Sequence, residues 1–465
     1  MSMVSETIAL HIPSTARPLP LGWIWARLDE VCVGIYDCPH STPKIINSGP
    51  LIARSQDIRE GVFRLKEAAH VSEETYLERI RRAEPRYGDL LYSREGTYFG
   101  IAAEVPPHTQ VCLGQRMVLI RPSVDRLNFR FLRYWLNSPV LTAHVQGHRD
   151  GTVAERLNMP TICGLPIVVP PLTTQQAIAH VLGMLDDKIE LNRRMNETLE
   201  SIVQALFNSW FVDFDPVYAK MAGQQPFGID ADTAALFPAS FQESPVGIVP
   251  NGWSVKKLGE IVEINPTRYL KRDELAPYLE MANMPTTSAR AIDWQDREFT
   301  SGTKFMNGDV LIARITPCLE NGKTAFVDFL SEGQVGWGST EYLVFRSKPP
   351  LPLEYAYFLA RTDGFRSFAI QNMTGSSGRQ RVPAESFSSF WAIAPPDGIA
   401  KKFGETASLI MAAMKRNDEA SKTLAEVRDA LLPKLISGEL PIQDADRWME
   451  KYTGSDNLSA AVVED

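Results

Sequence analysis

Cysteine is scarce in this chain and scattered. Cys32, Cys38, Cys112, Cys163 and Cys318 form no CxxC pair, which argues against a disulfide framework or a thiolate zinc site and fits a reducing cytoplasm. Apolar runs are short, and no stretch approaches the roughly 18 residues that a membrane span needs, so no membrane association is expected. The opening residues, MSMVSETIALHIPSTARP, lack a basic segment followed by an apolar one, so a signal peptide is not expected. Enzyme signatures are missing as well. Asn321-Gly322-Lys323-Thr324 ends like a phosphate-binding loop, but Pro317 stands where that loop needs its first glycine. Asn265-Pro266-Thr267-Arg268 lacks the second proline and the aromatic of the Asn-Pro-Pro-aromatic loop of adenine methyltransferases. No Gly-x-Gly-x-x-Gly follows a strand pattern. His144 and His148 are one helical turn apart but have no further ligands nearby in sequence. Neither a catalytic centre nor a bound metal or cofactor is expected.

An overall basic charge is also lacking. The net charge is −8, yet its distribution matters more than its sum. Pro20–Leu165 carries 18 Lys and Arg against 16 Asp and Glu, and Pro250–Ala394 carries 16 against 16. The acidic excess lies outside these two segments. In the first segment, 16 of the 18 cations are Arg, the side chain suited to bidentate contacts with phosphate and guanine.

The strongest positive feature is a duplication. PLGWIWARLDEVC from Pro20 matches PNGWSVKKLGEIV from Pro250. GDLLYSREGTYFGIAAEV from Gly88 matches GDVLIARITPCLENGKTAFV from Gly308, and GQRMVLIRP from Gly114 matches GSTEYLVFR from Gly338. FRFLRYWLNS and LEYAYFLART follow as helix-like stretches. GTVAERLNMPTICGLPIVVPPL from Gly151 then matches GSSGRQRVPAESFSSFWAIAPPD from Gly375, and Pro171 falls on Pro396, an offset of 225. A period this long means duplicated domains rather than a solenoid. Short apolar runs between Gly, Pro and Asn turns read as strands with one or two interspersed helices, so each unit is mixed α and β.

After Pro170-Pro171 the period becomes helical. Ile178, Leu182, Leu185, Ile189, Leu199, Val203, Leu206 and Trp210 recur at spacings of four and three, and Asn192 and Asn196 fill the gap. This is a heptad seam with two polar layers. Shifting by 225 gives Phe403, Ala407, Ile410, Met414, Asn417, Ser421, Leu424, Arg428, Leu431 and Leu435, so Asn192 falls on Asn417. Val427 is expected to take over where Arg428 breaks the seam. Thr173 or Thr174 is the expected cap of the first helix, and Pro433 the expected interruption of the second. About 39 residues give roughly 58 Å of helix. Each globular unit leads into the N-terminal end of its own helix. An antiparallel pair avoids crowding both units at one end and gives an internal pseudo-two-fold repeat. The expected fold class is therefore α+β, two mixed α/β domains separated by two long antiparallel coiled-coil helices.

Two similar domains on a rigid spacer suit two different half-sites on duplex DNA, separated by an unread gap. Pro170–Val217, Phe237–Trp253 and TGSSGRQRVP (Thr374–Pro383) resemble the specificity subunit of Type I restriction-modification enzymes, and the resemblance extends over about 20–440. It implies an N-terminal tail 1–17, target recognition domain 1 over 18–169, spacer helix 1 over 170–214 and a connector over 215–249. Target recognition domain 2 over 250–395, spacer helix 2 over 396–440 and a C-terminal tail 441–465 complete the chain. It further implies a non-catalytic, cytoplasmic subunit that binds double-stranded DNA and docks two methyltransferase (M) subunits and further motor-nuclease (R) subunits. S-adenosylmethionine, ATP and Mg would belong to those partners. A coiled-coil scaffold or a DNA-binding adaptor outside restriction-modification is the alternative.

Base readout needs forked donors and small polar groups on loops. In the second domain the candidates are Arg314, Thr316, Gly375, Ser376, Ser377, Gly378, Arg379, Gln380 and Arg381, with the glycines allowing close backbone approach to phosphate. In the first they are Arg54, Ser55, Arg94, Thr97, Thr152 and Arg156, although DGTVAERLNMP departs there from the family's loop. The bland alternative is that these arginines pair with local carboxylates such as Glu95 or Glu155.

Overall fold

A computed structural model describes residues 12–13, 18–59, 61–96, 99–147, 156–445 and 447–449. It divides into two compact units. Unit 1 combines residues up to Ile189 with those from Lys422 onward, and unit 2 is Glu190–Ser421. Two 40-residue helices, Leu172–Phe211 and Asp397–Ile436, each contribute to both units.

Each unit is built around a four-stranded antiparallel sheet with the same topology. In unit 1 the order is Cys32–Asp37, Met117–Pro122, Leu90–Ser93, Ala102–Glu104. In unit 2 it is Val262–Ile264, Tyr342–Ser347, Val310–Ala313, Thr324–Phe326. The central strands are apolar on both faces because both faces are covered. Side chains alternate sides along a strand. Val118 and Ile120 therefore join Leu90, Tyr92 and the helix side chains in one cluster, while Met117 and Leu119 join Leu91, Ala103 and Phe63 in another. Unit 2 repeats the division, with Val310, Ile312, Leu343 and Phe345 on one side and Leu311, Ala313, Tyr342 and Val344 on the other.

Smaller sheets repeat too. Ile24–Arg27 pairs with Pro166–Val169, and Ser254–Lys257 with Trp391–Ala394. Ile46–Ala53 runs parallel to Val111–Leu113, as Leu275–Leu279 does to Gly336–Gly338. Unit 2 adds Thr303–Phe305 at that sheet's edge, and unit 1 alone has a helix at Glu73–Arg79, capped by Ser72.

Within each unit the long helices pack antiparallel. In unit 1, Ile178, Leu182 and Leu185 share a core with Leu424, Val427, Leu431 and Leu435. In unit 2, Val203, Phe207 and Trp210 share one with Phe403, Ala407 and Met414. Full burial of a side chain such as Leu182 or Leu431 is worth about 1.5–3 kcal/mol. Three expectations need correction. Thr173 and Thr174 do not cap the first helix. It already begins at Leu172, and Gln175 N–H donates to Pro171 C=O at 3.1 Å. Pro433 does not interrupt the second helix, which continues to Ile436 and ends at Gly438, whose φ of +73° suits a helix terminus. Residues 215–249 are not an irregular connector. They hold helices Asp215–Met221 and Ala231–Leu236 and a hairpin of Phe241–Ser244 with Gly247–Pro250, and Val217, Phe237 and Val249 are buried.

The segment after Gln443 is docked in part. Ala445 is fully buried, and Trp448 and Met449 pack on the unit 1 core. No helix among the described residues is long and apolar enough to cross a membrane.

Candidate DNA-reading edges and the helix seam

Just past the sheet strand Val310–Ala313, the chain of unit 2 is flanked on both sides. Arg314 N–H donates to Glu341 C=O at 2.9 Å, and Val382 N–H donates to Arg314 C=O at 2.9 Å. Ile315 bridges Arg381, and Thr316 N–H donates to Gln380 C=O at 3.0 Å. The TGSSGRQR segment is thus stitched to the end of a core strand. It closes on itself through reciprocal Thr374 and Arg381 backbone bonds, both 2.9 Å. Gly375 (φ +118°) and Gly378 (φ +77°) occupy the left-handed region where other residues are strained. Ser376, Ser377 and Arg379 are exposed at the tip, while Gln380 is half-buried.

The candidates divide by what holds them. Arg381 Nε and Nη2 grip the Glu341 carboxylate at 2.7–2.9 Å, a fork-on-fork pair that fixes the loop base. Thr316 Oγ1 lies 3.9 Å from Met373 Sδ, and Arg314 is half-buried with no partner at Nε. Arg379, by contrast, projects from the exposed turn.

Unit 1 has the same edge with different side chains. Arg94 N–H donates to Arg116 C=O at 3.1 Å, Leu157 N–H donates to Arg94 C=O at 2.9 Å, and Glu95 bridges Arg156. Arg94 lies 3.4 Å from Asp37. Arg54 is chelated by Asp57, with Nε and Nη2 both at 2.8 Å, and Ser55 is half-buried in the turn between them. Arg156 is exposed. Thr97 and Thr152 lie outside the described residues. The partner carboxylates Asp57, Asp37 and Glu341 escaped sequence reasoning. Only Asp57, three residues from Arg54, left a local signal.

Along the seam, Ile178, Leu182, Leu185, Met414, Leu424 and Leu431 are buried, whereas Ile189, Leu199, Leu206 and Ile410 are half-buried. The asparagines form a connected polar layer. Asn192 Nδ2 donates to Asn417 C=O at 3.3 Å and Ser421 Oγ at 3.1 Å. Asn196 Nδ2 donates to Met414 C=O at 3.1 Å and Asp418 Oδ1 at 2.7 Å, and its Oδ1 accepts from Asn417 Nδ2 at 2.8 Å.

Polar anchors that the sequence did not reveal tie the globular cores to the long helices. In unit 1, Asp186 accepts from Arg133 Nη2 at 2.7 Å, Tyr134 Oη at 2.6 Å and Arg428 Nη1 at 2.8 Å. Burial pushes its carboxyl up, but Arg133 and the three donors outweigh this and hold it below the usual aspartate range. Arg428 is therefore part of this anchor, and Val427 fills the buried position beside it. The side chain of Gln175, fully buried, donates to Arg126 and Pro170 carbonyls and accepts from Asn128 N–H. In unit 2, Arg290 binds both Asp328 and Asp418. Tyr357 Oη donates to Glu200 at 2.5 Å, and Glu200 Oε2 has no partner. Burial raises the Glu200 carboxyl despite the Tyr357 bond and the Arg361 charge. No group of three or more metal-ligating side chains occurs among the described residues.

Residues 46–201 match the family described as Type I restriction modification DNA specificity domain. The chain is 25% identical over 414 residues to the Type I restriction enzyme HindI specificity subunit of Haemophilus influenzae, covering 76% of this chain and 86% of that protein. It is 24% identical over 422 residues to the MjaIX specificity subunit of Methanocaldococcus jannaschii, covering 88% of each. The crystal structure of a Type I restriction-modification system S subunit from M. genitalium shares the fold, with a TM-score of 0.52 at 14% identity, over 91% of this chain and 99% of that one. Over most of its length the chain is thus similar to specificity subunits of Type I restriction-modification systems.

Proposed function

We propose that this chain gives a Type I restriction-modification complex its DNA sequence specificity. Segments 18–169 and 250–395 are the two target recognition domains, and each reads one half of a bipartite, asymmetric site. The carrying observation is that one sheet topology and one strand-edge construction occur twice, with different side chains at the exposed positions. A repeated frame with altered readers suits two half-sites of different sequence.

Arg379, Ser376, Ser377 and Gln380 read bases in the second half-site, with Gly375 and Gly378 letting the backbone approach phosphate. Arg156, Thr97 and Thr152 serve the first half-site. Arg54, Arg94, Arg314 and Arg381 hold those loops in position. The seam residues set the spacing between half-sites and leave an outer helix face for two M subunits, with R subunits joining the assembly. Methylation with S-adenosylmethionine, and ATP- and Mg-dependent cleavage, reside in those partners.

Co-expression with the neighbouring M subunit, followed by native mass spectrometry, tests the assembly. One copy of this chain with two M subunits is expected. Failure to form any complex contradicts the proposal.

A further inference from the structure

The two strand edges share a backbone frame but reverse one charge. Glu341 of unit 2 and Arg116 of unit 1 hold the same place. Each carbonyl accepts from the arginine that follows a core strand, Arg314 or Arg94, and each residue immediately precedes the sheet strand Tyr342–Ser347 or Met117–Pro122. On the other flank, Arg381 and Arg156 also correspond, bridging Ile315 and Glu95. In unit 2 the carboxylate at this place pairs with the bridging arginine through Nε and Nη2. In unit 1 the same place is a second arginine.

Two further observations single out Arg116. Its side chain is half exposed, and among the described residues its ion pair is a monodentate contact from Nε to Glu95 at 3.2 Å. Its φ is +73°, in the left-handed region where arginine is disfavoured and glycine or asparagine is at ease. A strained backbone position occupied by a long cation points to a task for that cation. The Asp37 carboxylate is engaged by Arg94 at 3.4 Å and by His40 at 3.3 Å, so it is not left over for Arg116.

We propose that Arg116, together with Arg156, forms a DNA-phosphate contact of the first target recognition domain, and that the counterpart in the second is switched off by the Arg381–Glu341 pair. This rests on the DNA-reading function above. The first domain then docks by charge on the backbone beside its reading loop. The second uses the same arginine as a strut and leaves contact to the loop tip at Arg379.

The test measures binding of the full chain to a fluorescein-labelled duplex of random sequence across a salt series. Neutralising one phosphate contact changes the slope of log affinity against log salt by about 0.9. Arg116→Gly removes the cation while easing the positive φ, so the fold is not put at risk. It should weaken binding several-fold and lower the slope by about one contact, and Arg116→Lys should restore the slope. Glu341→Ala should free Arg381 and steepen the slope. An unchanged slope in Arg116→Gly overturns the proposal, and an unchanged slope in Glu341→Ala overturns the part concerning Arg381. If the wild-type chain shows no salt-dependent binding, the DNA-reading function fails with it. A salt-dependent wild type with an unaltered Arg116→Gly variant isolates the failure to this inference.

Discussion

Asp186, half-buried, and Glu200, buried, are two carboxylates on one helix whose surroundings settle their charge in opposite directions. Asp186 is surrounded by Arg133, Tyr134 and Arg428, and its proton affinity is lowered. A lowered folded-state value adds stability above the ordinary aspartate value of 3.8 and loses it as pH falls further. Asp186→Ala leaves the nearly buried Arg133 guanidinium with Glu104 as its remaining carboxylate and removes a partner of Arg428, and should cost about 3 kcal/mol at neutral pH in urea unfolding. The difference from wild type should shrink in acid. Glu200 accepts from Tyr357, faces Arg361 at 3.9 Å, and has a buried oxygen without a side-chain partner and a raised value. Its charge therefore opposes folding above that raised value, and the cost is relieved as pH falls toward 4.5. Glu200→Gln keeps an acceptor for Tyr357 and should raise the urea midpoint at neutral pH, with the gain fading in acid. A loss at neutral pH would show that the ionised group is needed. Also at this scale, Arg379→Ala should relax recognition in one half of the DNA site while sparing the other. A good base contact carries about 1–3 kcal/mol of discrimination. Loss of recognition in both halves, as read by methylation mapping, would count against the assignment.

At the level of elements, the seam was legible because a heptad repeat is local. Leu182, Leu185, Met414 and Leu431 could be placed by counting. The strands were legible as apolar runs, and the cover on both faces explains why those runs lack alternation. Contacts made at long range were not legible. Arg133 meets Asp186 across 53 positions, and nothing in either neighbourhood marks the partner. Residues 215–249 misled because their elements are too short to show a period, although Val217 and Phe237 prove to be core. Pro433 misled because its missing N–H falls within the last turn of a well-packed helix, where the cost is tolerated. Of the candidate readers, the arginines were visible but their commitments were not. Arg54 and Arg381 prove to be held by Asp57 and Glu341. The Asn layer carries its own prediction. Asn196→Leu removes the partner of Asn417 Nδ2 and a donor to Asp418, and should destabilise by about 1–3 kcal/mol. A neutral or stabilising effect would mean that the layer serves register alone.

For the molecule as a whole, duplication is the organising fact. Each compact unit takes the N-terminal half of one long helix and the C-terminal half of the other. Each also places an exposed, variable edge at the end of the same core strand. The two units keep the sheet and the helix anchors while the side chains at the edge differ, as two dissimilar half-sites would require under the proposed function. The most direct measurement is a methylome. Methyladenine would be mapped by single-molecule sequencing in cells co-expressing this chain with a methyltransferase (M) subunit, and again without this chain. Two dissimilar half-sites separated by a fixed gap, methylated only when the chain is present, are the predicted result. A single undivided motif, or methylation indifferent to the chain, would contradict it.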